Sequence, residues 1–352
     1  MNSRERVFAT IEGKPTDCIP VTPYNGNFCI GIAGFEISEC YLDGKKLAQA
    51  MIRAQEITGQ DVVISQSDQY YITEAMGVKT TYSKGSLPNV VSRPVQNIKD
   101  ISKLKPVDPS MGRMGVYIEA IKRMNEHYKG AVAIRASGAG CFPLASHLMG
   151  MDDFLLMLAY AQMGEADYEK YLFDMMEVLY ESHYQYVEAC VKAGADIVQC
   201  ADSLASLDVI SPAMYEKYAF PYEKKFFDRI DKLKYEYDFH TLLHICGDNT
   251  LIIEKMADTG ADIIEFDYKV SMAYAKQKVG ERVCLMGNLN PCGAMLDGTP
   301  EQVSREASQA ILDGGKNGRL CLGSGCEVAA GSPLQNVKAM IDIGHSMKPD
   351  FD

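Results

Sequence analysis

Basic residues are scarce: 35 Lys and Arg stand against 47 Asp and Glu, a net charge of −12. The positive footprint that neutralises phosphates is therefore missing, which argues against nucleic acid or an anionic membrane as a partner. Long apolar runs are lacking as well. No uninterrupted stretch approaches the ~18 residues of a membrane span, and the opening MNSRERVFATIEGK holds no apolar segment of signal-peptide length. A cytoplasmic protein is expected. No GxxxxGK(S/T) phosphate loop occurs, and SGAG at 137–140 lacks the third glycine of a dinucleotide fingerprint, with Pro143 standing where that motif would continue. There is no sign of a disulfide framework: the cysteines number eleven, an odd count, and lie scattered at 18, 29, 40, 141, 190, 200, 246, 284, 292, 321 and 326. They are expected to be reduced thiols, some of them ligands. What the chain does have is 352 residues at 47% apolar content, ample for a large core.

From about residue 131 onward, short β-rich runs alternate with longer amphipathic segments, the pattern of parallel strands joined by crossover helices. The expected strands are AVAIRASG, ADIVQCADS, FHTLLHICG, ADIIEFDY, RVCLMGNLN and RLCLGSGC, preceded by CIPVTPYNG and QDVVISQSD, about eight in all. Helices are expected around GKKLAQAMIRAQEIT, from Ser211-Pro212 onward, and over TPEQVSREASQAILDG, the last two opening on a Ser-Pro or Thr-Pro cap. AGADIVQC recurs as TGADIIEF with Asp196 and Asp262 in equivalent places, 66 residues apart, or two βα units. Eight such units favour an α/β fold of the (β/α)8 TIM-barrel type, a single domain over residues 1–352. Residues 77–130 hold an alternating stretch broken by Gly-Ser-Leu-Pro, which predicts a hairpin insertion in the N-terminal half, above the barrel mouth.

Chemistry in such barrels gathers where strands end at their carboxyl termini. The polar residues at those ends are Asn25, Asp68, Ser137, Asp202, His244 with Cys246, Asp267, Asn288 and Cys326. No Ser-His-Asp arrangement stands out. In His244-Ile245-Cys246 the two-residue period of a strand sends both potential ligands to one side. Gly247 frees the chain to turn, and Cys326 closes the last strand in a similar glycine-flanked setting. A His and two Cys form a three-ligand set for Zn²⁺ with the fourth position open, as catalytic zinc requires. Packing is the competing reading, because a free cysteine behaves as a small buried hydrophobe. Cys321, an odd number of residues from Cys326, is expected in the barrel wall or helix layer, while Cys200 and Cys292 stay open as rival thiols. His127, His147, His183, His240 and His345 are expected in surface or packing roles, and the many methionines as core filler.

Along nearly its whole length the chain resembles the uroporphyrinogen decarboxylase superfamily, in RERVFATIEGKPTDCIPV, SQSDQYYITEAMG, GAGCFPLASHLMGMDDF, QCADSLAS with SPAMYEKYAFPYEKK, and GTPEQVSREASQAIL. The resemblance implies the barrel. It also separates two chemistries. Decarboxylases carry arginines in an N-terminal loop that grips the porphyrinogen carboxylates, whereas VTPYNGNFCIGIAGFEISEC contains none, and their last-strand histidine falls at Ser324. The HxC…C constellation instead resembles the zinc-dependent corrinoid methyltransferase branch, which implies His244, Cys246 and Cys326 as Zn²⁺ ligands. Asp68, Asp202 and Asp267 are then expected as catalytic carboxylates, and Asn25, Ser203, Asn288 and Ser324 as substrate-binding groups. The expected reaction moves a methyl group between a methylcobamide or cobalamin, free or on a corrinoid protein, and a thiol or tetrahydrofolate. Loading of a corrinoid protein from a methylated donor, uroporphyrinogen decarboxylation, and a non-catalytic corrinoid- or tetrapyrrole-binding module are the alternatives. Oligomeric state is not legible.

Overall fold

The computed structural model describes residues 1–66 and 68–351. Ser67, inside the expected strand stretch 60–68, and Asp352, the last residue of the expected domain, lie outside the described residues. The strands in chain order are β1 Val62–Ser65, β2 Lys79–Thr81, β3 Asn89–Ser92, β4 Ala133–Ala136, β5 Ile197–Ala201, β6 His240–Ile245, β7 Ile263–Phe266, β8 Cys284–Leu289 and β9 Leu320–Ser324. Seven of them form one parallel sheet in the order β1-β4-β5-β6-β7-β8-β9, each inside one of the apolar runs that predicted it. β2 and β3 pair antiparallel as a separate two-stranded sheet.

The sheet curls on itself. One cluster of buried side chains contains a residue from every one of the seven strands, among them Val62, Ala133, Ile197, Leu242, Ile263, Cys284 and Cys321, together with Val7, Phe8 and Ile11 of the helix Ser3–Ile11. Strands that all send side chains to one point must surround it, and the N-terminal helix plugs that end. Cys321 thus faces the interior and not the wall or helix layer expected for it. The strand ends at Ser324, so the alternation of sides cannot be counted onward to Cys326.

The eighth expected strand, in CIPVTPYNG, is reduced to a single parallel bridge, Val21 to Leu322. Pro20 and Pro23 flank that bridge, and proline has no N–H to extend a ladder. The segment still joins both edges of the sheet: Thr22 N donates to Leu322 O at 2.7 Å on the β9 side, and Asp61 N donates to Val21 O at 3.0 Å before β1.

The repeated aspartates have one shared job. Asp196 accepts from Ile134 N and Asp262 from Thr241 N, each at 2.8 Å, and Asp61 accepts from Val21 N at the same distance. Each tethers the start of a neighbouring segment and is matched by a cation: Arg4 for Asp196, Lys234 for Asp262 and Arg6 for Asp61. This end of the sheet is built for stability.

Connecting helices follow their local signals. Gly44–Thr58 is capped by Asp43 and closed by Gly59 in the left-handed region; Ser211 caps Pro212–Met214, and Thr299 caps Pro300–Gly314. Among the described residues no single helix is long and apolar enough to cross a membrane, and the pair Cys141–Met149 and Met151–Gln162, which would qualify only jointly, is bent by 115°.

Candidate metal centre

Two residues beyond the apolar interior layer, the strand period returns the chain to the same face, and what it presents there is polar. Ala133 leads to Arg135, Ile197 to Gln199, Leu242 to His244 and Ile263 to Glu265. These four are buried, and they form one tight network. Arg135 grips both oxygens of Glu265, through Nη1 at 2.7 Å and Nη2 at 2.6 Å, and its Nε donates to Gln199 Oε1 at 2.6 Å. The guanidinium carbon stands 4.8 Å from the centre of the Tyr24 ring. Glu265 Oε2 also lies 2.9 Å from His244 Nδ1.

One further step along β6 brings Cys246 beside His244. Nε2 of His244 is 3.0 Å from Cys246 Sγ, and Cys246 Sγ is 3.0 Å from Cys326 Sγ. A disulfide would measure about 2.05 Å, so both are free thiols. One ligand atom from each of the three residues falls within 4.8 Å of the others. Most of the remaining thiols are buried among apolar groups; Cys200 is one of these, and Cys292 is exposed.

The electrostatics of the trio follow from its neighbours. Burial favours a neutral imidazole, but the Glu265 carboxylate and the Cys326 sulfur outweigh it and hold His244 up at about 9. Burial likewise opposes a charge on Glu265, yet Arg135 and His244 draw it down to about 2. The proton shared by the thiols stays on Cys246, whose ionisation is pushed far up by Cys326 and by burial. Donation from Cys246, helped by His244, in turn lowers Cys326 to about 5 against its burial.

A soft divalent cation fits this donor set. Two sulfurs and one imidazole nitrogen converge from two separate chain segments, and His244 has the carboxylate behind its second nitrogen that fixes tautomer and orientation in metal sites. His244, Cys246 and Cys326 would be the ligands.

The other residues expected in the site are placed as follows. Asp267 stands beside the trio, accepting from Gly247 N at 3.0 Å through Oδ2 and from Lys269 N through Oδ1. Asn288 donates to Val270 O at 2.7 Å and to Asp267 O at 3.3 Å, securing that turn. Ser324 Oγ accepts from Tyr24 N at 3.1 Å. Ser203 lines a small cavity with Tyr24, Gln69 and Gln199. Asn25 is exchanged into a reciprocal amide pair with Gln60. Both oxygens of Asp68 are engaged by Arg113, with Tyr117 and Tyr70 N also donating to it. Asp202 accepts from Phe142 N at 2.8 Å, and burial raises it to about 7. Arg135, Gln199, Glu265 and Tyr24 went unnoticed in the sequence. The signal was a charged or amide side chain in the middle of an apolar strand, in phase with the interior residues.

The sequence model of the uroporphyrinogen decarboxylase (URO-D) family matches residues 2–347. The chain belongs to this family. Within the URO-D family it is 30% identical over 350 residues to a methylcobamide:CoM methyltransferase, MtbA, of Methanosarcina acetivorans, covering 98% of each chain. It is 27% identical over 291 residues to a uroporphyrinogen decarboxylase of Psychromonas ingrahamii, covering 83% of this chain and 80% of that one. Among solved structures, a methyltransferase from Methanosarcina mazei superposes with a TM-score of 0.82 at 25% identity, over 98% of this chain and 99% of that one.

Proposed function

We propose that this URO-D family chain is a zinc-dependent methyltransferase acting between a methylated corrinoid and a thiol, with the seven-stranded sheet and residues 20–22 together standing as the (β/α)8 barrel. The observation that carries the reading is the convergence of His244, Cys246 and Cys326 at one end of the sheet, backed by Glu265. Zinc held there would supply one thing, acidification of an incoming thiol taken as the open fourth ligand, so that sulfur is nucleophilic at neutral pH.

The protein's own residues do the rest. Glu265, itself clamped by Arg135, holds the His244 ring with Nε2 turned toward the sulfurs. Asp267 fixes the turn after Cys246 through Gly247 N, so the thiol cannot swing away. The acceptor sulfur forms its bond to the methyl carbon while the cobalt–carbon electron pair stays on cobalt, leaving Co(I), and the thiol proton leaves to solvent. The corrinoid, free or protein-bound, is the partner, and tetrahydrofolate is the other acceptor class.

Decarboxylation of a porphyrinogen finds less support. Residues 21–40 contain no arginine, and Arg135, whose guanidinium reaches His244 through Glu265, is already committed to Glu265 and Gln199. The test is transfer from methylcobalamin to thiols, followed by the change in corrin absorbance. Activity that requires zinc and disappears in Cys246→Ala supports the reading; decarboxylation of a porphyrinogen without metal opposes it.

A further inference from the structure

Of the eleven thiols, only Cys246, Cys326 and Cys292 are not buried. Cys292 lies on the turn after β8, whereas Cys246 follows β6 and Cys326 follows β9, with β7 and β8 between those two strands in the sheet. The sulfurs of Cys246 and Cys326 nonetheless meet at 3.0 Å. Glycines hold both backbones in place. Gly247, at φ +83°, turns the chain directly after Cys246, and Gly325 seats the chain before Cys326 against the segment after β7, where a Cβ would lie 2.5 Å from Tyr268 N and 3.1 Å from Asp267 Cα.

Two sulfurs each about 2.3 Å from one tetrahedral zinc stand about 3.8 Å apart, and a disulfide closes at about 2.05 Å. The separation of Cys246 and Cys326 lies between these two distances. A shift of about 1 Å, which small changes in two side-chain torsions supply, brings the sulfurs to bonding distance. Both are half-buried, so a small dissolved oxidant can reach them. The other close pair is different. Cys284 and Cys321, with sulfurs 3.9 Å apart, are fully buried in the interior layer that the helix Ser3–Ile11 plugs.

We propose that Cys246 and Cys326 are a site of reversible oxidation, closed to a disulfide by a peroxide, and that the closed pair cannot take a metal. One sulfur, as thiolate, attacks a peroxide oxygen, breaks the O–O bond and becomes a sulfenic acid with loss of water. The second thiol then displaces the sulfenic oxygen as a second water. Two thiols and one hydrogen peroxide thus give one disulfide and two waters; the sulfurs lose two electrons, the peroxide gains them, and both thiol protons leave in water. The disulfide leaves His244 alone of the three ligands, until an external dithiol reopens it by exchange. Closure rests on the geometry of the two sulfurs, and its effect on zinc rests on the reading above, in which the metal would hold the sulfurs apart and occupy their lone pairs.

The full chain, zinc-loaded or stripped with a chelator, is exposed to hydrogen peroxide, quenched with iodoacetamide under denaturing conditions, digested and mapped by mass spectrometry. A peptide cross-linked through Cys246 and Cys326 is expected in the stripped protein and at least tenfold slower to form in the zinc-loaded protein, with Cys284 and Cys321 recovered as alkylated thiols. The oxidised chain is expected to take up no zinc, and dithiothreitol to restore uptake. Cys321→Ala is expected to leave the cross-link unchanged. Sulfinic acid at either cysteine without the cross-link, a cross-link between other cysteines, or equally fast closure in protein shown to hold zinc overturns the proposal. If the reduced chain binds no zinc, the metal reading fails, while the cross-linked peptide alone still decides whether the pair closes.

Discussion

His244 Nδ1 lies 2.9 Å from Glu265 Oε2, and the same carboxylate is clamped on both oxygens by Arg135. The imidazole that would ligate a metal is therefore aimed by a buried charge pair that bridges from β4 to β7. Glu265→Gln keeps the shape but removes the charge behind the ring. Loss of such a partner costs about 10–100-fold in metal affinity, so competition with a chromophoric chelator is expected to show that loss while the circular dichroism spectrum stays unchanged.

Arg135 and Glu265 are both essentially inaccessible to solvent. Removing one partner of such a pair leaves an uncompensated charge, at a cost of about 3–5 kcal/mol. Arg135→Met is expected to lower the midpoint of denaturant unfolding accordingly, and Arg135→Met with Glu265→Leu is expected to recover part of that loss.

Gly247 follows Cys246 with φ of +83°, and a Cβ there would lie 2.4 Å from Asp208 Oδ2 and 2.7 Å from Ser206 Oγ. Gly247→Ala meets both a strained backbone and a clash. It is expected to destabilise by about 1–3 kcal/mol and to displace Cys246, read as reduced metal content per folded chain.

Most of the fold was legible because its signals are local. An apolar run of four to six residues, a capping Ser or Thr, and a glycine at a helix end act within one element, and all seven strands of the large sheet lie in the runs that predicted them. The strand expected around Val21 was shortened by prolines at 20 and 23, whose missing donors the apolar pattern does not register. At the site, His244 and Cys246 were visible through strand phase, and Cys326 through its place at a strand end. Glu265 was not, because its meaning depends on β7 lying beside β6 in the register Glu265 to His244. The carboxylates of Asp68 and Asp202 show the reverse. Their positions at strand ends suggested chemistry, yet the partners that occupy them, Arg113 and Phe142 N, come from segments far along the chain.

Burial raises the folded-state ionisation of Asp202 to about 7, against an ordinary value of 3.8. A protonated carboxyl in the native state binds a proton that the unfolded chain releases between those values. The resulting stability is fully present below about pH 4 and is lost as pH rises through about 7. Buried Glu223, hydrogen-bonded to Asp202, is raised as well, so Asp202→Asn, which keeps an acceptor for Phe142 N, is expected to flatten part of this profile and Asp202→Asn with Glu223→Gln to flatten it further, measured by urea unfolding from pH 4 to pH 8.

The most direct test of the central claim is the metal content of the purified protein, measured by mass spectrometry of the elements beside its methyl-transfer activity. The account predicts about one zinc per chain, falling to near zero together with activity in Cys246→Ala and in Cys326→Ala. Undiminished methyl transfer by metal-free protein, or by either variant, would contradict it.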